Sequence, residues 1–136
     1  MYEIDILRKD IMNASENSHF TAKGWQPIFQ APPTARILIA SQAPGLKAQE
    51  SNKTFYDVSG DTLRTWLGVD EEIFYDSGMF GIVPMDYYFP GKAKHGDLPP
   101  RKDFANKWNP KVLATMPDLE LKIIIGAYAQ KFYFGK

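Results

Sequence analysis

The chain contains no cysteine. Disulfides, thiolate zinc sites, cysteine-held iron–sulfur clusters and a cysteine nucleophile are therefore excluded on chemical grounds. Histidine is scarce too: His19 and His95 are the two present. Neither falls in a metal-ligand spacing, so no metal and no other cofactor is expected. Charge of either sign is missing in bulk, because 16 Lys and Arg balance 16 Asp and Glu. That removes a global electrostatic pull toward nucleic acid and leaves room for a local one. No apolar run approaches the roughly 20 residues that a membrane helix requires, so no membrane partner is expected. The start, "MYEIDILRKD", lacks the basic head, apolar middle and small-residue cleavage site of a secretory signal, and a cytoplasmic address follows as the default. Both common phosphate-binding signatures, G-x-x-x-x-G-K-[ST] and G-x-G-x-x-G, are absent.

What is present fits one globular unit. A chain of 136 residues with 44% hydrophobic and 14% aromatic content can bury a single core, and one domain spanning 1–136, acting as a monomer, is expected. Ile4, Leu7, Ile11 and Met12 recur at helical spacing, predicting an amphipathic helix over Tyr2 to Met12 that "NASENSH" ends. After Pro32 and Pro33 force an extended approach, Ala35 to Ala40 forms a short, nearly continuous apolar run, the mark of a strand buried on both faces. Ser59 suits the N-cap of a helix carrying Leu63, Trp66 and Leu67 and ending at Gly68, and Asp70 starts a further helical turn through Phe74. A second strand is expected over Gly78 to Met85. An irregular loop follows from Asp86 to Pro100, then a helix with Pro100 in its first turn running through Phe104 and Trp108. A short helix over Pro110 to Thr115, a third strand over Leu119 to Ile125 and a closing helical stretch, "AYAQKFYFGK", complete the chain.

Strands with continuous apolar cores, separated by helices, predict a three-layer α/β/α sandwich around a mainly parallel sheet. In such sheets a ligand crevice opens at the carboxyl ends of the strands. Three segments would meet there: Ser41 to Tyr56, Asp86 to Pro100 and the stretch from Gly126. In the first, the apolar run breaks into Ser41-Gln42-Ala43-Pro44-Gly45, and Phe55-Tyr56 arrives ten residues later. Gly45 lets the backbone approach a ligand, Pro44 stiffens the turn, and backbone N–H groups of Gln42, Ala43 and Gly45 can face the crevice. Phe55 and Tyr56 can supply a flat apolar wall. A rigid polar loop opposite an aromatic face suits a planar heterocycle such as a nucleobase. A plain strand-to-helix turn beside a core aromatic would leave the same pattern. Charge is uneven nearby: Lys92, Lys94, Arg101, Lys102, Lys107 and Lys111 face only Asp97 and Asp103 between Lys92 and Lys111. Asp70, Glu71, Glu72 and Asp76 form an acidic counterpart.

"SQAPGLKAQESNKTFYDVSG", Ser41 to Gly60, resembles the first motif of the uracil-DNA glycosylase superfamily. The likeness is greatest to the bacterial and archaeal branches with G-E-A-P-G, a phenylalanine ten residues after the last glycine, then a small residue and glycine. The Pro-Ile-Phe segment before the first strand and "LKIIIGAYAQKFYFG" are similar to further parts of that family. The resemblance implies recognition of a uracil or damaged base flipped out of DNA, and hydrolysis of its N-glycosidic bond through an oxocarbenium-like sugar with the base leaving as an anion. Carried over residue by residue, it puts Gln42 and Ala43 on the catalytic, water-activating loop, and Gln42, Ala43, Gly45, Phe55 and Tyr56 around the base. DNA is the implied partner, with Lys92, Lys94 and Arg101 placed for phosphate contacts beside the crevice.

The chain departs from that pattern in several places. Gln42 replaces a glutamate, and Ala43 stands where another branch has an aspartate, so no carboxylate in this motif can polarise water; Gln42 can still orient it. The second strand offers Gly81-Ile82-Val83-Pro84 where the family commonly has a base-reading asparagine, with Asp86, Tyr87 or Tyr88 as substitutes. The cysteines of the iron–sulfur branches are absent. The family's last motif, a histidine and serine between prolines after a fourth strand, would fall beyond Lys136, so a C-terminally truncated, inactive piece of an active enzyme is expected. Two other readings stand: a nucleobase or DNA binder that has lost its chemistry, and a small-molecule or nucleotide-binding α/β module.

Overall fold

A computed structural model describes residues 3–56 and 58–135. Tyr2, at the head of the expected first helix, and Lys136, at the end of the closing stretch, lie outside the described residues. The elements in chain order are α1 (Glu3–Asn13), a 3-10 turn (Ser15–Asn17), α2 (Ser18–Ala22), β1 (Ile37–Ala40), α3 (Leu46–Ser51), α4 (Val58–Leu67), α5 (Glu71–Asp76), β2 (Phe80–Ile82), α6 (Phe104–Leu113), β3 (Leu121–Ile124) and α7 (Ala127–Phe134). The strands form one parallel sheet in the order β2-β1-β3. Ile37 lies opposite Phe80 on one side and Leu121 on the other, so β1 is the central strand.

Alternation along β1 explains the layers. Leu38 is fully buried on one face with Leu7 and Ile11 of α1 and Trp108 and Val112 of α6. Ile39 turns to the other face, where Leu63 of α4, Phe74 of α5, Phe80 and Ile82 enclose it. Side chains in a strand alternate sides, so a slip of one residue would exchange these two cores and is strongly opposed. The result is the α/β architecture that the apolar run predicts. The two edges differ in cover. β2 is flanked by Gln30, which bridges Ile82 antiparallel, whereas Leu121 on β3 is 53% exposed.

Several local expectations shift. The helix headed by Ser59 begins one residue earlier, at Val58, and Trp66, expected on its buried stripe, is 81% exposed. Asp70 does cap α5, accepting the Ile73 N–H at 2.9 Å. The second strand shrinks to Phe80–Ile82. Pro100 precedes α6, whose N-cap is Asp103, and the two helices expected around Pro110 are one. An interior proline costs roughly 3 kcal/mol through its missing N–H and ring clash. Here Phe104, Ala105, Trp108, Asn109 and Val112 are all buried along one face spanning that point, and at ~1.5–3 kcal/mol for each large apolar side chain the packing outweighs the break. The helix continues past it, with the Ala114 N–H donating to Pro110 O at 3.1 Å.

The loop from Asp86 to Pro100 is only half irregular. Asp86 to Phe89 are buried, Tyr87 and Tyr88 completely. Phe20 stacks on Tyr88 with ring centroids 4.6 Å apart, and the Tyr87 hydroxyl donates to Asn109 Oδ1 at 2.6 Å. Beyond them the chain makes a small hairpin: Lys92 bridges Asp97 antiparallel, the Leu98 N–H donates to Gly91 O at 2.8 Å, and the Ala93 N–H donates to Gly96 O at 2.9 Å.

Candidate functional site

A crevice of about 290 Å³ opens at the carboxyl ends of the strands, lined by Ser41 to Gly45 after β1, Ile82 and Pro84 at the end of β2, and Ile125 after β3. Its volume lies at the lower bound of small-molecule pockets, roughly 300–1,000 Å³. β1 and β2 stay paired past their last ladder residues, because the Met85 and Asp86 N–H groups donate to Ser41 O at 2.9 Å and Gln42 O at 3.0 Å. Gly45 then caps α3 with an extended backbone. α3 is pinned by the buried Gln49, whose amide donates to Gln26 O at 2.8 Å and accepts from the Phe89 N–H at 2.9 Å. The loop facing the crevice is therefore fixed at both ends.

Phe55, half-buried, lines the same crevice as that loop. Its φ is +52°, an unusual conformation for a bulky residue. Three contacts hold it there. Buried Arg64 donates to Phe55 O at 3.2 Å and to the Tyr75 hydroxyl at 3.1 Å. Tyr75 in turn donates to Thr54 O at 2.6 Å. Gly60 brings α4 against the same turn so closely that a Cβ there would sit 1.7 Å from Phe55 O. The Phe55 ring meets Phe74 edge-on at 6.4 Å. Strain maintained by surrounding structure is a recurrent mark of functional sites. Thr54 also lines the crevice, 6% exposed, and its Oγ1 is buried without a hydrogen-bond partner among the described residues.

Gln42 crosses toward α7. Its side chain lies over Gly126, where φ is +93° and a Cβ would come within 2.7 Å of it. Its Oε1 accepts from the Tyr128 N–H at 3.3 Å. The amide NH2 can donate and the oxygen keeps a second lone pair, so the side chain can hold a water, although an amide has no basic group to take its proton. Asp97, on the return strand of the hairpin, closes the mouth: it lines this crevice and also an adjoining hollow with Gln42, Ala43 and Tyr128.

The structure thus brings Gln42, Ala43, Gly45 and Phe55 together. Tyr56 is not among them; it is 37% exposed and lies under the ammonium groups of Lys47 and Lys53, at 5.6 and 5.3 Å from its ring. Asp86, Tyr87 and Tyr88 do not offer a base-reading edge. Asp86 is completely buried and bound by Arg101 through two side-chain hydrogen bonds of 2.8 and 3.0 Å, while burial pushes the Tyr88 hydroxyl up to about 12 and Tyr87 up as well. Lys92 and Lys94 are exposed on the hairpin with His95. Arg101 spends its guanidinium on Asp86 and on Glu16 O, 3.0 Å away. Sequence reasoning passed over Thr54, Arg64 and Asp97. The glycines at 91 and 96 were the available hint of a hairpin that returns Asp97 to the motif loop. A larger hollow of about 660 Å³, lined in part by Arg8, Lys53, Glu71 and Asp76, shares Thr54 alone with the crevice among the described residues.

A parallel sheet flanked by helices, with a crevice at the ends of all three strands, defines a domain of the layered α/β class. Residues 28–136 match the model of the Uracil DNA glycosylase superfamily, and the chain belongs to that superfamily. Among the described residues no helix is long and apolar enough to cross a membrane, and no three His, Asp or Glu side chains gather as a metal ion would require.

Proposed function

We propose that this single domain, acting as a cytoplasmic monomer in DNA repair, holds one nucleobase swung out of DNA between Phe55 and the Gln42–Gly45 loop and hydrolyses its N-glycosidic bond. The observation that carries the reading is Phe55, its backbone held at φ +52°, lining one crevice of about 290 Å³ together with Ser41 to Gly45. A flat aromatic wall opposite a fixed polar loop suits a planar base, and base–aromatic stacking contributes about 1–3 kcal/mol. Ala43 and Gly45 bring backbone to the base. The Gln42 amide orients the attacking water, and Thr54 Oγ1, unpartnered in the wall, meets a polar edge of the base. Lys92 and Lys94 approach phosphates, and Tyr56 between Lys47 and Lys53 offers a second stacking surface beside two cations. Arg101 acts through Asp86, tying the loop in place.

The test is incubation of the full chain with uracil-containing single- and double-stranded DNA. Free uracil should appear with the native chain and fall sharply with Phe55→Ala; absence of release from any modified DNA rejects the glycosylase reading. A second reading, a base binder without chemistry, is favoured by one observation: none of Ser41 to Gly45 carries a carboxylate. That protein would bind uracil-containing DNA more tightly than normal DNA and release nothing.

A further inference from the structure

Among the described residues lining the crevice, Asp97 is the one with a carboxyl group. Asp86 is bound by Arg101, and Asp61 by Arg64. Asp97 makes no side-chain hydrogen bond or ion pair with any described residue, although its backbone is placed by the bridge to Lys92 and by the turn at Gly96, φ +74°. It also faces Gln42 and Ala43 from the adjoining hollow. The Gln42 amide, with its oxygen accepting from Tyr128, can hold a water by donating to it but cannot take its proton.

We infer that Asp97, delivered by the hairpin, is the general base of the glycosidic reaction, supplying from outside the motif the carboxylate that Gln42 and Ala43 do not. The inference rests on the glycosylase reading above. Water held between the Gln42 NH2 and Asp97 attacks the sugar C1′. As the new C–O bond forms, its proton passes to the Asp97 carboxylate. The C1′–N bond breaks, its electron pair leaving with the base as an anion. No oxidant, metal or co-substrate enters the balance.

The experiment measures single-turnover base release by the full chain from uracil-containing oligonucleotides, with affinity for the same DNA measured separately. A positioned general base contributes roughly 10²–10⁴-fold. Asp97→Asn should therefore slow release by about 100-fold or more and leave DNA affinity unchanged. Formate added to Asp97→Ala should restore part of the lost rate, which a purely structural role would not allow. Asp118→Asn, an exposed acid outside the crevice, should behave as the native chain. If the native chain releases uracil and Asp97→Asn releases it equally fast, the role of Asp97 is overturned and the glycosylase reading stands. If the native chain binds uracil-containing DNA and releases no base, both fall together.

Discussion

The two walls of the crevice are built in opposite ways. The Phe55 wall is locked from behind: buried Arg64 holds Phe55 O and the Tyr75 hydroxyl, Tyr75 holds Thr54 O, and Gly60 lets α4 close on the turn. The hairpin side, Gly91 to Leu98, which among its described residues brings Asp97 to the crevice, rests on a few backbone bonds, and its side chains from Lys92 to Leu98 are exposed. Local stability follows buried contacts and protected hydrogen bonds, so the first wall is expected to open only with much of the fold and the second at a lower cost. A rigid wall fixes the plane of a stacked ring. A yielding one can admit a base attached to a long polymer and then close on it.

Breaking the rigid wall should have the largest effect. Arg64→Ala removes the donor to Phe55 O and to the Tyr75 hydroxyl, and at ~1–3 kcal/mol for each buried group left short of a partner the cost is about 3 kcal/mol. The denaturation midpoint would report it, and base binding should fall with it as Phe55 leaves its strained conformation. Gly60→Ala comes next. Its Cβ would meet Phe55 O at 1.7 Å, so the turn must move away from α4, at about 1–3 kcal/mol. A Gly60→Ala chain with native stability and native affinity for uracil-containing DNA would show that the turn is not locked. Phe55→Ala leaves the lock in place and removes only the ring. Its effect should appear as a loss of about 1–3 kcal/mol in base binding, read by titration with uracil-containing oligonucleotides.

The two walls also differ in how far the sequence discloses them. Ile37 to Ala40, the break at Ser41 and the phenylalanine ten residues past Gly45 are local patterns, and a family motif covers them without a gap. The strand core, the motif loop and Phe55 could therefore be named in advance. Tyr56 could not be separated from Phe55 by pattern. The left-handed turn at Phe55 sends the next ring outward, and nothing local announces that turn, because Arg64 and Tyr75 impose it from α4 and α5. The Asp86 to Pro100 segment reads as loop for a related reason. Tyr87 and Tyr88 are core residues only because Phe20 from α2 and Phe104 and Asn109 from α6 converge on them. Burial set by distant elements overrides local polarity. Asp97, legible only as a charge in the sequence, could not be read as a crevice residue because its position depends on hairpin register, which the glycines permit but do not specify.

The smallest effect tests the yielding wall. Lys92 and Lys94 make no salt bridge among the described residues, and surface substitutions of that kind usually change stability by less than about 0.5 kcal/mol. Lys94→Ala should therefore leave the denaturation curve in place while DNA affinity weakens to a similar degree for uracil-containing and normal sequences. A lysine that neutralises a phosphate releases a counterion, so the slope of log affinity against log salt should flatten by about one for each lysine removed. Lys47→Ala, beside Tyr56 on the other side, provides the comparison. If the salt slope responds to Lys47 and not to Lys92 or Lys94, the polymer runs along the rigid wall, and the hairpin touches the reacting nucleotide without gripping its neighbours.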